Sequence, residues 1–172
     1  MRVFHLLIEG YAGVFGKNLT EHRIDEVARF IHNSLFLSHA LRRDVVAKVT
    51  MFRGPLAPLT IEISGRDVRG LHPDEMSIAG FLRKSITSFL QGEKQPPGVR
   101  IKKGWERVEG TILDEEGERG APSIPYFYVG GPRGFPEYPP GRRISLGEVS
   151  YTASQTVAIV NYLLDVGIWK IG

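Results

Sequence analysis

The chain has 172 residues, 42% apolar and 24% charged, with no cysteine. That is the composition of one globular domain with an adequate core, and it excludes a disulfide framework, a thiolate metal site and a cysteine nucleophile. The net charge of +3, all of it in the first 86 residues, suits an anionic partner such as RNA without requiring one.

Arg2 to Glu9 reads as a buried strand. Glu9 ends the apolar run too early for a signal peptide, and no run approaches the ~20 residues of a membrane-spanning helix, so a cytoplasmic protein is expected. Residues 10–18 hold three glycines and read as a loop. From Glu21 to Ala40, Ile24, Val27, Phe30, Ile31, Leu35 and Leu37 recur at helical steps and predict one core-facing stripe. Asp44 to Phe52 and Leu59 to Ile63 predict two strands. His72-Pro73-Asp74-Glu75 opens a second helix, whose stripe runs from Met76 to Leu90. Four strand-like segments follow, at Val99–Lys102, Val108–Leu113, Ile124–Val129 and Arg142–Leu146, with an acidic loop from Leu113 to Ser123. A last helix is predicted from Tyr151 to Asp165. Strands alternating with helices predict an α/β fold with a largely parallel sheet, as a single domain over 1–172.

Two glycine-bearing segments follow strands. Gly130-Gly131-Pro132-Arg133-Gly134 is neither a dinucleotide fingerprint, since no helix opens after it, nor a phosphate loop, since it lacks Gly-Lys-Ser/Thr. By itself such a segment is more often just a turn. Ser145-Leu146-Gly147 leads through Ser150 and Tyr151 into the last helix, where Ser150 or Thr152 suits an N-cap. Capping leaves the rest of the polar Ser-Tyr-Thr-Ala-Ser-Gln run unexplained. The five histidines show no metal-ligand spacing, and no metal is expected.

Arg23-Ile24-Asp25, Arg29, Ser38-His39 and Arg42-Arg43-Asp44, then His72-Pro73-Asp74-Glu75, then Ser145-Leu146-Gly147 through Ser150-Tyr151-x-Ala153-Ser154-Gln155 stand in the order of three family signatures. Together they resemble the archaeal-type tRNA pseudouridine-54 N1-methyltransferases of the SPOUT superfamily. The resemblance implies a mostly parallel sheet flanked by helices, with a C-terminal trefoil knot that holds S-adenosyl-L-methionine, and a homodimer. It assigns the cofactor to Leu113, Gly130, Leu146, Gly147, Glu148, Val149, Ser150, Tyr151 and Thr156. Two departures stand out: Gly131-Pro132 replaces the Asp-His often found after the first glycine, and Thr156 stands where Cys is common.

Methyl transfer to a ring nitrogen needs aligned donor and acceptor, a group to take the proton, and donors that stabilise charge on the base carbonyls. Asp25 is the candidate base, and Arg23 or Arg29 the candidate stabilisers. Asp25 equally suits a helix cap or an i,i+4 pair with Arg29. Arg42, Arg43 and Lys48 are expected to meet tRNA phosphates. A related enzyme acting on a ribosomal pseudouridine, and a non-catalytic RNA-binding relative, are the alternative readings.

Overall fold

The sheet is built on strands whose alternation decides which face meets the helices. In the computed structural model, which describes residues 1–171, β1 (Arg2–Tyr11) is the central strand. Its Phe4, Leu6 and Ile8 join one core cluster and its Leu7 joins another. β4 (Val45–Arg53) runs parallel to it, with Phe4 beside Ala47 and Leu6 beside Val49. β5 (Leu59–Ser64) and β6 (Val99–Lys103) extend that side. On the other side come β8 (Tyr126–Gly130), β7 (Gly110–Glu118) and β9 (Gly141–Ile144). The seven-stranded order is β6-β5-β4-β1-β8-β7-β9, and β5 alone runs against the rest.

Helices α1 (Ile24–Leu35), α2 (Glu75–Leu90) and α3 (Ala153–Asp165) all pack on one face. Their buried Ile24, Val27, Ile78, Leu82, Val157 and Val160 share the cluster of Phe4, Leu6 and Val49. The opposite face carries no helix among the described residues. Trp105 covers it instead, with Leu7, Ile112, Tyr126 and Tyr128 beneath, and Phe52 and Phe135 at the margin. The sheet is therefore flanked on one side only, because the outward positions of β1, β4 and β5 carry His5, Lys48, Thr50, Thr60 and Glu62.

Lys48 and Glu62 are half-buried, while His5, Thr50 and Thr60 are buried but satisfied. His5 Nδ1 lies 2.9 Å from the Tyr126 hydroxyl and Nε2 lies 2.7 Å from the Thr50 hydroxyl. Thr50 and Thr60 hydroxyls are 2.8 Å apart, and Thr60 donates to the Gly104 carbonyl at 2.7 Å. That carbonyl only accepts, so the direction of the whole chain is fixed. Thr50 donates to Thr60, His5 Nε2–H donates to Thr50, and Tyr126 donates to a bare Nδ1. Burial, helped by Lys48 and Lys102, pushes the His5 imidazolium down to about 3. The chain demands an uncharged ring, and burial favours the uncharged form; the hydrogen bonds alone select the tautomer.

Several boundaries differ from the sequence reading by one or two residues, and three by more. Helix α1 ends at Leu35, not Ala40, because the chain turns into a small hairpin of β2 (Phe36–Leu37) and β3 (Ala40–Leu41). There the Arg42 amide caps the Leu35 carbonyl at 2.6 Å and Ser38 takes a left-handed φ of 58°. At its start, a short 3-10 turn over Glu21–Arg23 precedes the helix. The acidic stretch after Leu113 is mostly strand, since β7 continues to Glu118 with a register shift against β9 and Arg142 pairs Glu118 at 3.1 Å. β9 approaches β7 so closely that a Cβ on Gly141 would fall 1.9 Å from the Gly110 carbonyl oxygen, which requires glycine there.

The family-like motifs hold the helices together. Arg29 Nε donates to Glu75 at 3.0 Å and His32 Nδ1 donates to the Pro73 carbonyl at 2.6 Å, joining α1 to the start of α2. Asp74 caps α2 by accepting from the Ser77 amide at 3.1 Å. Asn33 donates to the Ser154 carbonyl, and Asn161 to the Asn33 carbonyl, both at 2.9 Å, docking α3 on α1. Arg2 donates to Asn161 at 2.8 Å and so ties α3 back to the first strand.

Candidate active site

β1, β8, β7 and β9 are parallel, so their carboxyl ends meet at one edge of the sheet, where open α/β folds bind ligands. A cavity of about 590 Å³ opens there. Its walls come from the bend of β7, the turn after β8, the loop after β9 and the first turn of α3. Of the nine residues assigned to the cofactor from sequence, Leu113, Gly130, Leu146, Gly147, Val149, Ser150, Tyr151 and Thr156 line it, and Glu148 does not.

Local chemistry sets these walls. Thr152 and Gln155 form a reciprocal capping box: the Thr152 hydroxyl accepts from the Gln155 amide at 3.2 Å, and Gln155 Oε1 from the Thr152 amide at 3.0 Å. Ser145 Oγ holds the Gly147 backbone from both sides, at 2.8 Å to its carbonyl and 3.1 Å to its amide. Gly147 has a φ of 140° and open space beside it. Gly130 is different: a Cβ there would lie 2.9 Å from the Gly134 carbonyl carbon, so its missing side chain makes room for the following turn.

The cavity is acidic. Glu26, Asp114, Glu115 and Glu116 line it, and no lysine, arginine or histidine does. Glu26 is 8% exposed. Asp114 accepts from the Tyr138 hydroxyl at 3.0 Å and lies 3.9 Å from Arg143.

A second pocket of about 170 Å³ lies beside it, and Pro132 lines both. Here the charge is reversed. Arg23, Arg53, Arg133 and His22 line the small pocket with a single carboxylate, Glu9. Residues His22 and Arg23 have φ values of 57° and 65° in succession. Such left-handed non-glycine positions cost on the order of 1–3 kcal/mol each and collect at functional sites. The Tyr11 ring stacks on His22 at 4.3 Å between centroids and braces the turn.

Of the predicted catalytic residues, only Arg23 lines a pocket. Asp25 lies 3.4 Å from Arg29, which also pairs with Glu26 and Glu75, so both are part of the helix-to-helix network. Of the predicted phosphate contacts, Arg43 is exposed, while Arg42 is held by Asp165 at 2.9 Å with a side chain 11% exposed. Lys48 stands on the helix-free face, 3.6 Å from Glu62 and over the Tyr126 ring. Glu9, His22 and Arg53 were not singled out from sequence. They are scattered over 45 positions, and only the neighbouring parallel strands β1 and β4 with the turn into α1 bring them together.

Fold and site together have the form of an α/β domain with a ligand-sized cavity at the carboxyl edge of its strands. A family described as "Putative SAM-dependent RNA methyltransferase" matches residues 6–117. A tRNA (pseudouridine(54)-N(1))-methyltransferase of Methanopyrus kandleri is 32% identical over 164 residues, covering 84% of this chain and 80% of that protein. One of Methanocella arvoryzae is 44% identical over 84 residues, covering 47% of this chain and 44% of that relative's length. The chain belongs to this SPOUT-type family of tRNA (pseudouridine(54)-N(1))-methyltransferases. The crystal structure of Archaeoglobus fulgidus Nep1 bound to S-adenosylhomocysteine shares the fold, with a TM-score of 0.57 at 16% identity over 94% of this chain and 96% of that one.

Proposed function

We propose that the chain transfers the methyl group of S-adenosyl-L-methionine to N1 of pseudouridine 54 in the tRNA T-loop. The observation that carries this reading is the reversal of charge across Pro132, from an acidic cavity to a basic pocket. Four carboxylates and no cation suit a ligand bearing a sulfonium and an ammonium, and they oppose a pyrophosphate. Leu113, Leu146, Val149 and Tyr151 add apolar surface for a purine ring. The cofactor supplies an electrophilic methyl group when bound. The chain's own residues hold it at the strand edge, shape the loops around it, and present arginines to the acceptor. Being bound side by side makes the transfer effectively unimolecular.

The basic pocket suits a nucleotide and its phosphates, and exposed Arg43 extends the cationic surface. Arg42 and Lys48 reach phosphate only by giving up Asp165 and Glu62. A C-terminal trefoil knot is part of the reading that family membership supports; in the fold, β9 lies outside β7 at the sheet edge and α3 then docks on α1 and Arg2. A homodimer is supported by Tyr162, Val166 and Ile168, which remain exposed at the end of α3. Trp169 folds back instead, stacking toward Phe127 at 6.5 Å. Sedimentation at micromolar concentration is expected to give two chains, and a single-chain mass refutes the dimer. No helix among the described residues is long and apolar enough to cross a membrane, in keeping with a cytoplasmic enzyme.

The test is methyl transfer to a tRNA carrying pseudouridine at position 54, read by nucleoside mass spectrometry. A ribosomal pseudouridine as the only acceptor, or RNA binding without transfer, are the outcomes that favour the two other readings.

A further inference from the structure

We propose that Glu9 is the proton acceptor for the transfer and that Arg53, beside Arg23, stabilises the acceptor ring as its N1 anion. This rests on the methyltransferase reading and assigns the chemistry of its smaller pocket. Glu9 is the one carboxylate that lines that pocket; it ends β1's buried run, and its side chain is 41% exposed. Its nearest charged partner is Arg133, at 3.8 Å, beyond ordinary hydrogen-bond distance, so an oxygen stays available to accept a proton. The other carboxylates nearby are engaged or misplaced. Asp25 is bound to Arg29 outside both pockets, and Glu26 lines the cofactor cavity, where a negative charge favours the cationic donor.

Arg53 comes from the end of β4 and Arg23 from the strained turn into α1, and neither has an ion pair with a carboxylate among the described residues. Two guanidinium groups so left fit a ring whose carbonyl oxygens gain charge as the nitrogen between them and the methyl donor loses its proton. The His22–Arg23 backbone, braced by Tyr11, holds one of these groups in place before the ligand arrives.

In the step, the N1–H bond breaks and its proton passes to a Glu9 oxygen. The freed N1 electron pair forms the N–C bond to the methyl group while the S–C bond breaks, and that bond's electrons stay on sulfur. Glu9 then yields its proton to water. Charge balances: the sulfonium charge is lost and one proton is released.

The test is single-turnover methylation of pseudouridine-54 tRNA by Glu9→Gln and Arg53→Met, with cofactor affinity measured separately by calorimetry. Glu9→Gln is expected to keep cofactor and tRNA affinity and to lose about 100-fold or more in rate at pH 7. Its rate should recover as rising pH ionises N1 without help, which a merely structural role would not produce. Arg53→Met should lower the rate at saturating tRNA with cofactor affinity unchanged. Wild-type rate and pH profile in Glu9→Gln, with an active wild-type enzyme, overturn the proposal alone. A wild-type protein that binds the cofactor and never methylates this RNA overturns the functional reading and the proposal with it.

Discussion

Lowering the pH from 7 to 4 should cost the wild-type protein far more stability than it costs a His5→Gln variant. His5 is 1% exposed, and its ring is held neutral by burial first and by Lys48 and Lys102 second, with its pKa lowered from 6.5 to about 3. The folded pKa is depressed, so the contribution is fully present above pH 6.5 and is lost as pH falls toward 3. Below 6.5 the unfolded chain binds a proton that the folded one refuses. Each unit between the two values is worth about 1.4 kcal/mol, so at pH 4 the loss from this one group is about 3 kcal/mol. A domain of this kind has only roughly 5–15 kcal/mol in total. Glutamine keeps a donor for Thr50 and cannot titrate. It also loses the ring packing against Tyr128, 5.3 Å away, which lowers stability by the same amount at every pH. Urea unfolding of both proteins between pH 7.5 and 4 isolates the effect, because the carboxylates common to both cancel. The stability gap should close by about 3 kcal/mol from pH 7 to pH 4. Parallel curves refute the buried neutral histidine and with it the direction assigned to the Tyr126–His5–Thr50–Thr60 chain.

Glu26→Gln should weaken S-adenosyl-L-methionine by about tenfold while leaving S-adenosylhomocysteine, whose sulfur is neutral, nearly unchanged. Equal losses for both ligands in calorimetry contradict an electrostatic role for the acidic cavity. Arg43→Glu should weaken tRNA binding and flatten its salt dependence by about one counterion or more. An unchanged salt slope removes Arg43 from the RNA surface.

Much of the fold was legible in the sequence where one periodicity governed a whole element. β1 and the apolar stripes of α1 and α2 follow from Phe4, Leu6 and Ile8, from Ile24 to Leu35, and from Ile78 to Ile86. The residues of the larger cavity were legible as a group because most come from short continuous loops after β8 and β9, whose glycines and capping residues mark themselves. Arg29 and Glu75 stood out for a different reason: they join α1 to α2, with His32, which no motif marked, beside them on the Pro73 carbonyl, so part of the family-like pattern is structural. The smaller pocket was not legible. Glu9, Arg53 and His22 look ordinary in sequence, and they meet only because β4 pairs with β1 and the chain bends through two left-handed residues before α1. The helix-free face was hidden likewise, since a parallel sheet usually has both faces covered.

If an acidic cofactor cavity and a basic acceptor pocket meet at Pro132 to move a methyl group onto pseudouridine 54, the transfer itself is measurable. Incubating the purified protein with methyl-labelled S-adenosyl-L-methionine and tRNA carrying pseudouridine at that position tests it most directly. One labelled methyl group per tRNA is expected, on N1 of residue 54, and none on tRNA with uridine there. Label at another position, or none despite cofactor binding, contradicts it.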